Sequence, residues 1–197
     1  MKYRILLVSL LTALGAASAF AQTTTASTVQ RDVNQQTRIE NGLKDGSLTT
    51  REAGKLEHEE AQVDRLQAQD LKNGKLSPRE RAQLRRAQDK ASRDIQSAET
   101  NGVKGNPQSA SSERMQADVQ RDINQEKRIE QGVQSGSLTN REVGKLEKGQ
   151  AGVDRKEARA ARDGHVGKAE QASIQHKQNR QNVDIYDKKH NDKLRKG

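Results

Sequence analysis

An internal duplication constrains the fold of this chain more than any other feature of its sequence. Residues 29–65 align without a gap with residues 119–155, at an offset of 90, and 24 of the 37 aligned positions are identical. Beyond this segment the copies diverge, although Gly74 and Gly164 keep the same register. Self-similarity of this kind predicts two copies of one structural unit, arranged in tandem.

Each repeat contains a glycine turn that is followed by a signal for the start of a helix. The sequence Gly-Ser-Leu-Thr-Thr-Arg-Glu at 46–52 returns at 136–142 with one substitution, and a looser version occupies 74–80. In each version a Ser or Thr precedes a glutamate by three positions. This spacing predicts a capping box, in which the hydroxyl and the carboxylate each accept a hydrogen bond from a backbone N–H of the first turn. The predicted pairs are Thr49 with Glu52, Ser77 with Glu80, and Thr139 with Glu142.

The apolar residues between these turns recur at helical spacing. Leu84, Ala87, Ala91 and Ile95 follow one another at intervals of 3, 4 and 4, which indicates an amphipathic helix. The middle helix of each repeat would span about 20 residues, or about 30 Å, so that its two flanking turns lie at opposite ends. The sequence therefore predicts an all-α protein made of two tandem three-helix modules, joined by a flexible linker, with a thin core and partly disordered termini.

The first residues have the features of a secretory signal peptide, with an early basic pair, an apolar run at 5–14 and a small-x-small site that ends at Ala21. Location in the periplasm or outside the cell is therefore expected, with no transmembrane segment in the mature chain. The Asn-Gly and Gly-Asn-Pro sequences near residue 105 indicate a linker. The predicted boundaries are a signal peptide at 1–21, a disordered N-terminus at 22–28, module one at 29–98, the linker at 99–118, module two at 119–190 and a basic tail at 191–197.

The composition limits how much core either module can build. Aromatic residues make up 2% of the chain, charged residues 32%, and cysteine is absent, so disulfides and thiol chemistry are excluded. Module two is expected to be the less ordered one, because Gly144, Gly149 and Gly152 interrupt its middle helix, each at a cost of about 1 kcal/mol relative to alanine.

The glycine turns also resemble the second half of an EF-hand calcium loop. Gly46, Leu48, Thr49 and Glu52 have the spacing of that loop's sixth, eighth, ninth and twelfth positions. The first half does not fit, because Leu43 would occupy the third position and no version has an acid at the first. A degenerate EF-hand-like calcium or metal binder is therefore an alternative hypothesis, and a helix cap accounts for each glutamate without a cation.

No other pattern assigns chemistry to the chain. The sequence His58-Glu59-Glu60 contains metal-ligating types, but adjacent residues on a helix point in different directions. No motif for a nucleophile, a zinc protease or a phosphate loop occurs. The sequence therefore predicts a protein that is not an enzyme, with no catalytic residue, no cofactor and no metal ligand assigned.

Charge is the remaining functional signal. Lys and Arg number 36 against 27 Asp and Glu, which gives a formal net charge of +9, and basic clusters occur at 79–93, 155–162 and 188–196. The expected partner is an anionic envelope component or an acidic protein. Nucleic acid is not expected as a partner, because the chain is expected to be exported and has only two Tyr and one Phe on which bases could stack. Self-association is left open.

Several motifs resemble known families. The pattern Arg-Ile-x-x-Gly followed by Gly-x-Leu-Thr-x-x-Glu at 38–52, the turn at 74–80 and the closing Ile-Tyr-x-x-Lys-His-Asn at 185–191 resemble a family of small exported proteobacterial proteins. That resemblance implies a helical fold and an envelope location, but no activity. The first repeat departs from the family by ending Ile95-Gln96 where the second has Ile-Tyr.

Two shorter similarities carry functional implications. The Leu-Thr-x-x-Glu elements are similar to the Leu-Thr-x-x-Gln motif of Spy-type periplasmic chaperones, which implies a holdase-type chaperone or stress protein as an alternative function. The same elements are similar to the helical SHOCT oligomerisation domain. The leading hypothesis is a non-enzymatic exported repeat protein that acts through largely electrostatic surface interactions in the cell envelope.

Overall fold

The computed structural model describes residues 16–192, with side chains described from residue 25 onward. Positions 1–15 of the predicted signal peptide and 193–197 of the predicted basic tail lie outside the described residues. Within the described part the structure is helical and contains no strand, which confirms the all-α prediction. None of its helices combines the length and the hydrophobicity that crossing a membrane requires.

The structure contains three α-helices for each repeat in the described range. Short 3₁₀-helical turns follow the second helix of each repeat, at Leu71–Asn73 and Ala161–Asp163. The helices are α1 (Ala16–Asp45), α2 (Thr50–Asp70), α3 (Pro78–Thr100), α4 (Ala110–Gln134), α5 (Asn140–Ala160) and α6 (Lys168–Lys189).

The predicted capping boxes form at the starts of α2, α3 and α5. At α2 the Thr49 hydroxyl accepts a hydrogen bond from the Glu52 N–H at 3.2 Å, and the Glu52 carboxylate accepts one from the Thr49 N–H at 3.0 Å. The same reciprocal pair forms at α3 and α5. At α6 only the carboxylate half remains, with Glu170 accepting from the Gly167 N–H at 2.8 Å.

The N-terminal boundary differs from the prediction. Residues 22–28, expected to be disordered, belong to α1. Thr28 is buried, and its carbonyl oxygen accepts a hydrogen bond of 3.0 Å from the side chain of Gln88 on α3. The polar composition of this segment favoured disorder, but packing against α3 stabilises it as helix, which is a tertiary effect that composition does not reveal.

The segment between the repeats is also shorter than the predicted linker at 99–118. Helix α3 continues through Thr100, and α4 begins at Ala110 because the Ser109 hydroxyl accepts a hydrogen bond from the Ser112 N–H at 3.1 Å. The Ser and Ala residues at 109–112, within the predicted linker, therefore begin a helix. Gly105 within the shortened segment donates its N–H to the carbonyl oxygen of Gly46 at 2.9 Å, so the segment is attached to the first glycine turn.

The two repeats share their cores. The most extensive helix contacts are between equivalent helices, α1 with α4 and α2 with α5, while α3 and α6 pack on the outside of their own repeats. One core cluster joins Ile39 and Leu56 of the first repeat to Ile123 of the second. Another joins Leu71 to Ile129. A chain with so few large apolar residues thereby obtains a common interior that neither repeat supplies alone.

Helices α2 and α5 each closely approach the 3₁₀-helical turn that follows the other helix, and the two contacts are reciprocal. A Cβ atom added at Gly54 would lie 2.5 Å from the Ala161 Cβ, and one added at Gly144 would lie 3.0 Å from the Leu71 Cβ. Because these two contacts are related by the 90-residue offset, the repeats pack with approximate two-fold symmetry. Gly144, which the sequence indicated as a source of instability, is thus a point of close helix approach.

Candidate functional site

A group of buried acidic side chains lies on α1, α2, α4 and α5, the helices through which the two repeats contact each other. Each is at most 3% exposed, and no Lys or Arg of the described residues is classed as buried. On α2 these acids follow the helical spacing that also places Leu56 and Val63 in the interior. We call this group the carboxylate array; its members are Asp32, Glu57, Glu60, Asp64, Asp118, Asp122, Glu126, Glu147, Asp154 and Glu157.

Three members of the carboxylate array converge at a position that we call site I. Asp32 on α1, Asp64 on α2 and Glu147 on α5 each place a carboxylate oxygen within 4.8 Å of the others. Site I therefore takes two ligand candidates from the first repeat and one from the second. Both oxygens of Glu147 lack a hydrogen-bond partner, and this side chain is fully buried.

A second group, which we call site II, is built from nearly equivalent positions. Glu57 on α2 and Asp154 and Glu157 on α5 place their oxygens within the same 4.8 Å limit. Glu57 is the counterpart of Glu147, and Asp154 that of Asp64, at the offset of 90. The approximate symmetry of the fold thus produces two similar acidic sites, each shared between the repeats.

Buried glutamine amides orient the carboxyl groups. In the first repeat Gln88 Nε2 donates to Asp32 Oδ1 at 2.7 Å, which leaves Asp32 Oδ2 without a partner. In the second repeat Gln178 Nε2 donates to Asp122 Oδ1 at 3.0 Å and to Glu157 Oε1 at 3.2 Å, and these two carboxyls are also hydrogen-bonded to each other. Gln36 Nε2 donates to Glu57 Oε2 at 2.9 Å and leaves Glu57 Oε1 without a partner. Asp32 and Glu57 therefore each have one oxygen held by an amide and one that is available.

Burial dominates the electrostatics of the carboxylate array. Burial raises the pKa of Asp32 to about 7, against a smaller lowering by the Gln88 hydrogen bond. Burial raises the pKa of Glu57 to about 8, with the Gln36 amide opposing and the charge of Asp122 adding to the rise. Burial raises the pKa of Asp64, Glu147, Asp154 and Glu157 well above the usual value, and neighbouring carboxylates raise it further.

The array can be neutralised in only two ways, because no buried basic side chain accompanies it in the described structure. Protons can neutralise it, or cations can enter it. All of its potential metal-ligand atoms are carboxylate oxygens, which suit hard divalent cations such as Mg²⁺, Ca²⁺ and Mn²⁺ better than softer metals.

A second feature, which we call the basic groove, lies on the surface between α2, α3 and α5. It has a volume of about 680 Å³ and is lined by six Lys or Arg side chains and one acidic side chain, Glu59. The cationic residues are Arg51, Lys55, Lys90, Arg155, Arg159 and Arg162.

The cations of the basic groove are only partly neutralised. Lys90 forms ion pairs with Glu59, at 3.2 Å, and with Asp94. Arg51 donates to the carbonyl oxygen of Asp163 at 2.7 Å. Lys55, Arg155, Arg159 and Arg162 take part in no salt bridge within the described part of the chain. Partial burial lowers the pKa of Arg155, and the nearby charge of Arg65 lowers it further.

The residues that the sequence singled out occupy different places. Glu52, Glu80 and Glu142 lie in capping boxes, where backbone N–H groups are bonded to their carboxylates, as the helix-cap interpretation predicts. His58 lines the basic groove, whereas Glu60 is buried in the carboxylate array, so these near neighbours do not converge. Of the basic clusters, 155–162 contributes most to the groove.

The carboxylate array was missed at the level of sequence, although a signal for it exists. Asp32, Glu57 and Asp64 recur unchanged at positions 122, 147 and 154, and none of them belongs to a glycine turn. On α2 the acids share the helical register of the apolar residues. Acids in the apolar register that are retained in both repeats indicate a buried position.

The apolar surface that a holdase would require is small in the described structure. The exposed large apolar side chains are Val103 between the repeats and Val183 and Tyr186 on α6. Tyr186 is partly covered by the stacked ring of His190, with 4.1 Å between ring centroids. The chaperone hypothesis stays a prediction.

Comparison with known proteins gives no relative for this chain: no family model, curated protein or solved structure matches it. The class of protein is therefore defined by its own geometry. It is an all-α bundle in which two repeats share a core that contains carboxyl groups.

Proposed function

We propose that the protein is a non-enzymatic, exported helical repeat protein that binds an anionic component of the cell envelope through the basic groove. The observation that carries this proposal is the convergence of six cationic side chains on one groove that contains a single acid. Four of these cations have no salt bridge in the described structure, so their charge is available to a ligand.

The distribution of charge between the interior and the surface strengthens this proposal. The formal net charge of +9, which includes Lys2 and Arg4 of the predicted signal peptide, counts every Asp and Glu as ionised. Burial favours the neutral form of the carboxyl groups in the array, so these acids compensate less of the surface charge than the formula assumes. The surface is therefore more basic than the composition indicates, which favours attraction to anionic lipid, lipopolysaccharide or acidic cell-wall polymer.

Co-sedimentation with vesicles tests the proposal. The wild-type chain should sediment with phosphatidylglycerol vesicles at low salt, should be released at high salt, and should not bind phosphatidylcholine vesicles. The variant K55E/R159E reverses two exposed groove charges and should lose most of the binding. The matched control R85E/R86E makes the same change in net charge at exposed positions on α3 that do not line the groove, and should retain most of it.

Equal loss in both variants would show that total charge, and not the groove, determines binding. If the chain did not bind the anionic vesicles at low salt but was captured by an immobilised acidic protein, the partner of the basic groove would be a protein and not an envelope component.

A further inference from the structure

We propose that the carboxylate array binds two hard divalent cations, one at site I and one at site II, and that these cations connect the two repeats. This binding is distinct from that of the basic groove, which lies on the surface. The cations replace the protons that would otherwise neutralise the buried carboxyl groups.

The geometry of the two sites matches the needs of such a cation. Ca²⁺ binds oxygen ligands at about 2.3–2.6 Å, so oxygens on opposite sides of one ion lie up to about 5 Å apart. The carboxylate oxygens of Asp32, Asp64 and Glu147 lie within 4.8 Å of one another, as do those of site II. A single ion can therefore contact all three carboxylates of a site with small side-chain adjustments.

The hydrogen bonds around the sites point to a ligand independently of the acidic cluster itself. Glu147 is fully buried at site I, and neither of its oxygens has a hydrogen-bond partner. Gln88 holds one oxygen of Asp32 at site I and leaves the other without a partner, and Gln36 does the same for Glu57 at site II. Fixing one carboxylate oxygen through a neighbouring amide while leaving the other available is how ligands are oriented around a bound ion.

The duplication provides a further independent argument. The chain has diverged at 13 of the 37 aligned positions, and the replaced pairs include Glu60 with Gln150, so buried acids in this segment are not all retained. Asp64 and Glu57 nevertheless have identical counterparts in Asp154 and Glu147. These four residues supply two ligands to each site, and within each site they come from both repeats.

The stoichiometry of binding tests this proposal. Native mass spectrometry and calorimetric titration with Ca²⁺, and separately with Mn²⁺ and Mg²⁺, should show two cations per wild-type chain. D64N removes one ligand from site I and D154N one from site II, so each should bind one cation, and D64N/D154N should bind none. The control D184N/D187N removes two exposed carboxylates from α6 and should still bind two.

Thermal unfolding of the wild-type chain provides a measurement that needs no variant. With two sites at a cation concentration of about 100 times Kd, mass action raises Tm by about 10–20 °C relative to EDTA. Asparagine is uncharged and nearly isosteric with aspartate, so the variants should fold, which their helical circular dichroism checks.

No cation bound to the wild type, with an unchanged Tm for all three metals, would overturn the proposal and would show that protons neutralise the array. Equal loss of cations in D184N/D187N and in D64N/D154N would overturn the assignment to sites I and II.

Discussion

Neutralising one buried acid should stabilise the cation-free protein, and Glu57 is the position where the effect can be worked out. Glu57 is 0% exposed, and burial raises its pKa from 4.5 to about 8. Near pH 7.5 the unfolded chain is therefore ionised at this position, while the folded chain holds the proton. Because pH 7.5 lies about three units above the unfolded pKa of 4.5, taking up this proton on folding costs the folded state about 4 kcal/mol.

The variant E57Q is neutral in both states, so it removes this cost. The substituted amide retains a carbonyl oxygen that can accept the hydrogen bond that Gln36 Nε2 now donates to Glu57 Oε2 at 2.9 Å. We expect the free energy of unfolding to rise by about 2–4 kcal/mol near pH 7.5, after allowance for imperfect packing of the new amide. Below the unfolded pKa of about 4.5 both states of the wild type are protonated, so the gain should vanish there.

Urea unfolding in EDTA, near pH 7.5 and near pH 4, measures this change. D184N on the exposed face of α6 is the control and should change the free energy of unfolding little at either pH. The reasoning would be refuted if E57Q were less stable than the wild type near pH 7.5, or if its effect were the same at both pH values.

Two further predictions concern the packing of the repeats and the helix caps. G54A should lower the free energy of unfolding by about 1–3 kcal/mol, because its Cβ would lie 2.5 Å from the Ala161 Cβ. In a double-mutant cycle, A161G should restore part of this loss. Full additivity of the two free-energy changes would contradict the contact. G167S should raise the free energy of unfolding by a few tenths of a kcal/mol, since Gly167 already has the extended conformation of a cap and lacks only the hydroxyl. Chemical denaturation measures this change, and a lower free energy of unfolding in G167S would contradict it.

The local features of the fold could be predicted from the sequence because they depend on neighbouring residues. Thr49 and Glu52 form their capping box within one helical turn, so the sequence pattern contains all the information required. The order of three helices in each repeat follows from such signals. The segment 22–28 was wrongly predicted because its helical state depends on Gln88, which is distant in the sequence.

The sharing of the core could not be predicted in the same way. The contact of Gly54 with Ala161 joins residues more than one hundred positions apart, and no local pattern specifies it. The sequence predicts that the core of each module is thin, and the structure shows how this is resolved, by placing equivalent helices of the two repeats against each other.

The carboxylate array was not predicted because acidic residues were assumed to lie on the surface. An acid such as Glu57 is normally assigned to the surface, because burying a charge is costly. Glu57 lies next to Leu56 in α2, and the sequence of this helix alone does not show that Glu57 is buried until the second repeat is placed against it. Only the three-dimensional arrangement shows that Asp154 approaches from the other repeat to complete the same cluster.

Titration of the carboxyl groups shows whether the shared core of the two repeats contains buried acids. Carbon-13 chemical shifts of the Asp and Glu carboxyls can be followed by NMR in the absence of divalent cations, from about pH 3 to about pH 9. We expect a separate set of buried carboxyls that titrate near or above pH 7, with Asp32, Glu57 and Asp122 among them. Titration of every carboxyl near its usual pKa of about 4 would contradict a carboxylate array in the shared core of the two repeats.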